Sequence, residues 1–518
     1  MTGEPDTFDY IVVGAGAAGC VVANRLSAVP DQSVLLLEAG GSDEFFAQTR
    51  FTDLESLFAL WGPETDWGFT TEPVRGLNGR SIPITQGKVL GGGSSTNGRT
   101  YVRGNRRNYD SWAAAGNEGW GYRDVLPYFK KSENYAGGAD EYHGADGPLP
   151  LVDLPEPTPI AQAFVRSAVS AGYKGPADVN AAEQDNVVSY SQSATLLPEL
   201  ARASAAGAFV HPIMDRPNFT LRTRAMTTRI VMAGKRAVGV EYQDENGTPQ
   251  RVRAAREVIV SAGAFNTPKL LMLSGIGPAD QLRSHGIDVV ADLPGVGNNL
   301  QDHILVRLVW HLTQKQPQLI LLSEVNLFAY SNGEVLDDTP PDLEFQFAPF
   351  FFPEYGPIDA GITLVPTLSQ PVSRGTVRLR SADPFADPVI QPDYLSDESE
   401  IDVLLRGMEI GRELMASPFL DDMRGAEVAP GAGVTSRAEL TRYIRDTAFT
   451  VWHPSCTARM GDDDMAVVDA QLRVHGMDGL RVIDCSVMPN IVNANLHATV
   501  LMIGEKGADL VLSSAGTG

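Results

Sequence analysis

Tyr10-Ile-Val-Val13 runs straight into Gly14-Ala-Gly16-Ala-Ala-Gly19, and no other feature restricts the fold of this chain as strongly. A short unbroken apolar run is what a strand buried on both faces of a parallel sheet requires. In the G-x-G-x-x-G that follows, Gly14 makes the tight turn, Gly16 admits a pyrophosphate and Gly19 lets helix pack on strand. The phosphates would sit at the N-terminus of a helix predicted to end near Ser27. A second apolar strand, Ser33-Val-Leu-Leu-Leu37, ends in Glu38, a carboxylate placed to accept hydrogen bonds from ribose hydroxyls. Glycine supplies 51 of the 518 residues, so the turn alone would mean little; strand, turn, helix, strand and acid in this order predict a dinucleotide site. At this point NAD and FAD are both open.

The formal charge of −23, with no block of Lys or Arg, argues against nucleic acid or an anionic membrane as partner. No uncharged apolar run reaches the roughly 18 residues of a membrane span. Met1 to Asp9 carries Glu4, Asp6 and Asp9 and no basic residue, unlike a signal peptide, so a cytoplasmic location is expected. Cys20, Cys456 and Cys485 are far apart and form no C-x-x-C pair, which suggests neither a disulfide framework nor a metal site. A homo-oligomer is left open.

Along the chain, residues 44–73 are irregular and rich in aromatics (Phe45, Phe46, Phe51, Phe58, Trp61, Trp67, Phe69), the composition of a lid-like cover. Gly87-Lys-Val-Leu-Gly-Gly-Gly-Ser-Ser-Thr-Asn97 offers backbone N–H groups and hydroxyls for close approach by a flat or anionic ligand. Pro148 to Pro159 reads as a crossover between domains, and residues 160–208 carry little recognisable chemistry. Strands are predicted at Asn218–Arg222, Ala237–Tyr242 and Glu257–Ser261, the last entering Ala262-Gly263 and a helix at Thr267–Leu273. From Leu305 to about Thr447 strand-like alternation dominates, with aromatic runs such as Phe350-Phe-Phe352 that suit a core or the wall of an apolar pocket. Amphipathic helices are predicted at Glu398–Ala416 and Ser436–Arg445. The last residues return to the first theme, with the strand Leu480–Asp484 ending in a carboxylate and a closing helix from Ala498 to Leu512. The cofactor domain is therefore expected to be discontinuous.

Four stretches then resemble the glucose–methanol–choline (GMC) family of FAD-dependent oxidoreductases, nearest its choline oxidase, choline dehydrogenase and hydroxymethylfurfural oxidase branch. They are Gly14 to Gly19 with Glu38, Gly87 to Asp110, Gly263 to Gly277, and Val451-Trp-His-Pro454 with Asp484 to Lys506. The resemblance covers essentially the whole chain and implies FAD. It implies an α/β fold: a discontinuous Rossmann-type FAD-binding domain (1–155, 215–304, 448–518) with an inserted α+β substrate domain (156–214, 305–447) built on an antiparallel sheet. By the same resemblance FAD is held by Gly14, Gly16, Ala17, Ala18, Gly19, Glu38 and Ala39, and by Leu90, Gly91, Gly92, Ser95, Asn97 and Gly98. Ala262, Gly263, Asp484, Cys485, Asn495, His497 and Thr499 complete that set.

Where choline oxidase has the histidine that links covalently to FAD this chain has Thr96, so FAD is expected without a covalent bond. Leu305 replaces the substrate-binding carboxylate and Gln346 a pocket histidine; without that counter-charge a quaternary ammonium is disfavoured. His453 falls at the family's catalytic histidine, suited to take the hydroxyl proton because imidazole is largely neutral at pH 7. Asn495 is the partner that would hold the alcohol oxygen, while His497 is assigned a structural or FAD-contacting role. His303 belongs to a family motif near the domain junction. Val451, Trp452, Gln346, Phe350 and Leu305 are expected around the substrate. The resulting expectation is oxidation of a neutral primary alcohol, aryl or furanic, to the aldehyde, with O2 restoring the flavin and giving H2O2. Alternatives are a dehydrogenase using a quinone or other carrier, and a lyase or decarboxylase on the same fold.

Overall fold

A computed structural model describes residues 6–44, 58–198, 200–316 and 321–515. Phe45, Phe46 and Phe51 of the aromatic stretch lie outside the described residues.

Tyr10 and the apolar run behind it sit in the middle of a parallel layer. The strands Phe219–Arg222, Val34–Leu37, Thr7–Val13 and Pro249–Val260 lie side by side in that order, and Leu480–Val482 adds to the last of them. Val34 to Leu37 and Val258 to Val260 are as fully buried as Ile11 and Val12, which is why these strands carry continuous apolar runs and no alternation. The strand Pro249–Val260 reaches further back than the sequence suggests. Its first residues pair antiparallel with Arg236–Gln243, which in turn pairs with Met226–Ala233, and its last residues belong to the parallel layer.

The carboxyl ends of the parallel strands open together on one edge, at Gly14, Glu38, Ser261 and Asp484, where open α/β sheets bind ligands. Gly14 has φ +99°, and a Cβ there would lie 2.4 Å from the Ser261 carbonyl oxygen, so only glycine makes this turn. The helix Ala17–Leu26 follows and packs against the long closing helix His497–Ala515. The turn and the end of the chain thus meet.

A second, antiparallel sheet runs in the order Arg424–Ala429, Leu308–Leu312, Gly361–Leu368, Leu343–Ala348, Val325–Ala329, Val187–Tyr190. Leu343, Phe345 and Phe347 share a core with the helices Pro159–Ser170 and Glu398–Met415, so by strand alternation Glu344 and Gln346 point to the opposite face. Gln346 on that face lines a cavity that reaches back to the glycine turn. The short strand Ile304–Leu305 pairs with both Gly361–Leu368 and Phe449–Thr450, tying the segment before His453 to this sheet.

The proline-rich stretch expected to be a plain crossover contains the strand Leu149–Asp153, paired with Gln192–Leu196. Pro148 precedes this strand, Pro150 falls in its opening residues and Pro155 follows it, so Leu151 to Asp153 keep their N–H groups for the ladder. Residues 160–208 also hold Arg202, which donates to the Asn97 side chain (2.7 Å) and carbonyl (2.6 Å) and so fixes the glycine-rich loop. Among the described residues no helix is long and apolar enough to cross a membrane.

Candidate active site

One continuous cavity runs from the glycine turn to the face of the antiparallel sheet. At one end it is lined by Gly14, Gly16, Ala17, Ala18, Glu38 and Ala39, then by Gly92, Asn97, Gly98, Ala262, Gly263, Asp484 and Cys485. At the other end stand Leu305, Gln346, Val451, Trp452, His453, Asn495 and His497. Trp61, Trp67 and Phe69 of the aromatic stretch line it too, and Trp61 packs on Trp452 with ring centroids 4.7 Å apart.

Six expected contacts stand back from the wall. A Cβ on Gly19 would lie 1.9 Å from the Gly14 carbonyl oxygen, so this glycine serves helix packing. The Leu90 side chain is buried in the core, the Gly91 N–H donates to the Ala15 carbonyl, and the Ser95 hydroxyl donates to the Leu90 carbonyl. The Thr499 hydroxyl is engaged with the Tyr109 hydroxyl at 2.7 Å. Phe350 is fully buried against Phe58 and Phe352, leaving Phe352 as the ring on the cavity.

The remaining geometry suits FAD. A Cβ on Gly16 or Gly263 would meet nothing within 4 Å, so the N-termini of the helices Ala17–Leu26 and Gly263–Leu273 are open to close approach. Glu38 accepts from Ala15 N–H (2.9 Å) and Gly40 N–H (2.8 Å), which fixes its carboxylate at the cavity edge. Burial pushes its pKa up to about 7. Asp484 accepts from Gly263 N–H, Thr267 Oγ1 and Ser486, so its carboxylate is occupied in holding the turn. Both ring nitrogens of His497 are shielded from solvent and have no partner among the described residues, and burial with the nearby Arg202 charge lowers its pKa to about 4.

The centre of the other end is a pair of histidines. His303 Nδ1 lies 2.9 Å from His453 Nδ1, so one of these nitrogens carries the shared proton. His303 Nε2 is buried with no hydrogen-bond partner among the described residues. With His303 protonated there, its Nδ1 accepts, His453 Nδ1–H donates, and the lone pair of His453 Nε2 is left facing Asn495 Nδ2 at 3.4 Å. Burial and the neighbouring His303 hold the His453 pKa well below the usual histidine range, which keeps the ring neutral.

Asp302 anchors this arrangement. It accepts from the Tyr394 hydroxyl, from Thr450 Oγ1 (2.6 Å) and from the His453 N–H (2.8 Å), and burial raises its pKa to about 6. The Trp452 N–H donates to Thr450 Oγ1, and Trp452 is held at φ +61°, a region that bulky residues seldom occupy. The sequence marks Gln301-Asp302-His303 as a motif, but Tyr394 and Thr450 carry no signal there because their roles depend on segments far apart in the chain.

A dinucleotide cleft that opens onto a neutral, anchored imidazole is the site of an oxidoreductase, and the family match makes it FAD-dependent. The GMC oxidoreductase description matches residues 8–305 and 371–504. The chain is 40% identical over 533 residues to an oxygen-dependent choline dehydrogenase of Ectopseudomonas mendocina, covering 97% of this chain and 94% of that protein. It is 39% identical over 534 residues to an alcohol dehydrogenase [acceptor] of Pseudomonas putida, covering 98% and 96%. The crystal structure of pyridoxine 4-oxidase from Mesorbium loti superposes with a TM-score of 0.90 at 31% identity, covering 97% and 98%. The chain belongs to the GMC oxidoreductase family.

Asp302→Asn puts an amide N–H2 among donors that need an acceptor. The variant is expected to bind FAD and to lose about 10²-fold in the rate of flavin reduction, measured by anaerobic stopped flow, since a displaced base forfeits most of its contribution.

Proposed function

We propose that this enzyme oxidises a neutral primary alcohol, aryl, furanic or similar, to its aldehyde. The observation that carries the reading is the approach of His453 Nε2 to Asn495 Nδ2, 3.4 Å apart on the cavity wall. An alcohol oxygen between them donates its proton to Nε2 and accepts from the amide, which aligns the carbinol carbon. FAD, when bound, supplies the acceptor for the hydride that leaves that carbon. Leu305 is buried and apolar where a counter-charge would be needed, which supports exclusion of choline. Thr96 on the cavity wall supports FAD held without a covalent bond. Molecular oxygen is the proposed electron acceptor; the acceptor-type name of the Pseudomonas putida relative favours a separate carrier as the second reading.

His453→Ala is expected to keep FAD and to slow anaerobic reduction by an aryl alcohol by about 10²–10⁴-fold. Near-normal reduction would sink the assignment. In the unaltered enzyme, rapid recovery of the flavin band on admitting air supports oxygen, and slow recovery supports a carrier. Acid precipitation should release the flavin into the supernatant; flavin retained in the pellet would contradict non-covalent binding.

A further inference from the structure

Under the antiparallel sheet the cavity wall is mostly apolar, formed by Leu305, Leu322, Phe352, Val365 and Trp452, and Arg307 stands among them. Its side chain is 13% exposed and its Cζ lies 4.5 Å from the Phe352 ring centroid and 5.5 Å from that of Phe449. These faces fix the guanidinium in place. Among the described residues its Nε has no hydrogen-bond partner. Nη1 meets Glu354 at 3.3 Å, longer than the roughly 2.7–2.9 Å typical of a charge-assisted bond, and Glu354 is half exposed at the rim. The Tyr355 hydroxyl lies where it accepts from the guanidinium. A permanent charge on an apolar wall, held by a half-exposed carboxylate and a phenol, can exchange that carboxylate for a substrate anion, and a guanidinium matches the two oxygens of a carboxylate.

We propose that Arg307 is a specificity-determining residue that takes a carboxylate on the substrate, remote from the hydroxyl whose proton goes to His453. The substrate class is then a hydroxymethyl-substituted aromatic acid, which replaces the uncharged alcohol expected from the sequence. This rests on the alcohol-oxidising reading of the same cavity. Glu354 is the group that the incoming carboxylate displaces toward solvent.

The test is calorimetric titration of the oxidised holoenzyme with 4-methylbenzoate and 4-methylbenzamide, a matched pair that cannot be oxidised as alcohols. The carboxylate is expected to bind at least about 10-fold more tightly, Arg307→Met to abolish that preference, and Arg307→Lys to retain part of it. Equal affinities in the unaltered enzyme, or a preference that survives in Arg307→Met, would overturn the proposal. If Arg307→Met does not fold with FAD, an unchanged preference in Arg307→Gln overturns it instead. Because binding is read without turnover, the result stands apart from whether any alcohol reduces the flavin.

Discussion

One shared proton between His303 and His453 sets what the rest of the site can do. Two imidazoles in a desolvated pocket cannot both be charged, and the 2.9 Å contact admits one hydrogen between the facing nitrogens. Whichever ring donates determines whether His453 presents a lone pair or an N–H to the cavity. A base for an alcohol needs the lone pair, which requires His303 to carry its proton on Nε2 and to accept from His453 Nδ1–H. Asp302 then fixes the backbone of His453, so this ring is held from two sides.

The discontinuous path of the chain is what brings these groups together. The parallel sheet presents Gly14, Glu38 and Asp484 at one edge, and the antiparallel sheet turns Gln346 and Leu305 into the same cavity. Ile304–Leu305 and Phe449–Thr450 pair directly, so the segments carrying His303 and His453 are hydrogen-bonded neighbours despite their distance in sequence. A cofactor at the edge and a substrate under the second sheet would meet at His453 and Asn495.

Much of this was legible in the sequence because it depends on local chemistry. Tyr10 to Gly19 requires a strand, a turn and a helix in that order, and Gly14 does adopt the left-handed turn. The apolar runs identified the buried parallel strands. What was not legible depends on pairing across the fold. Phe350 and Phe352 read alike in sequence, yet of these two only Phe352 faces the cavity. Ser95 and Thr499 have hydroxyls suited to a ligand, but each is already bonded within the protein. Arg307 follows no motif and gains meaning only from the two rings around it.

The most direct measurement of the central claim is the nitrogen NMR spectrum of the holoenzyme labelled with ¹⁵N-histidine, with His303 and His453 assigned from single substitutions. At about pH 7 both rings should be neutral, with His453 protonated on Nδ1 and His303 on Nε2. His453 should remain neutral as the pH falls below about 6.5, because its lowered pKa postpones protonation. A charged His453 at neutral pH, or a neutral ring with its proton on Nε2, would contradict the account.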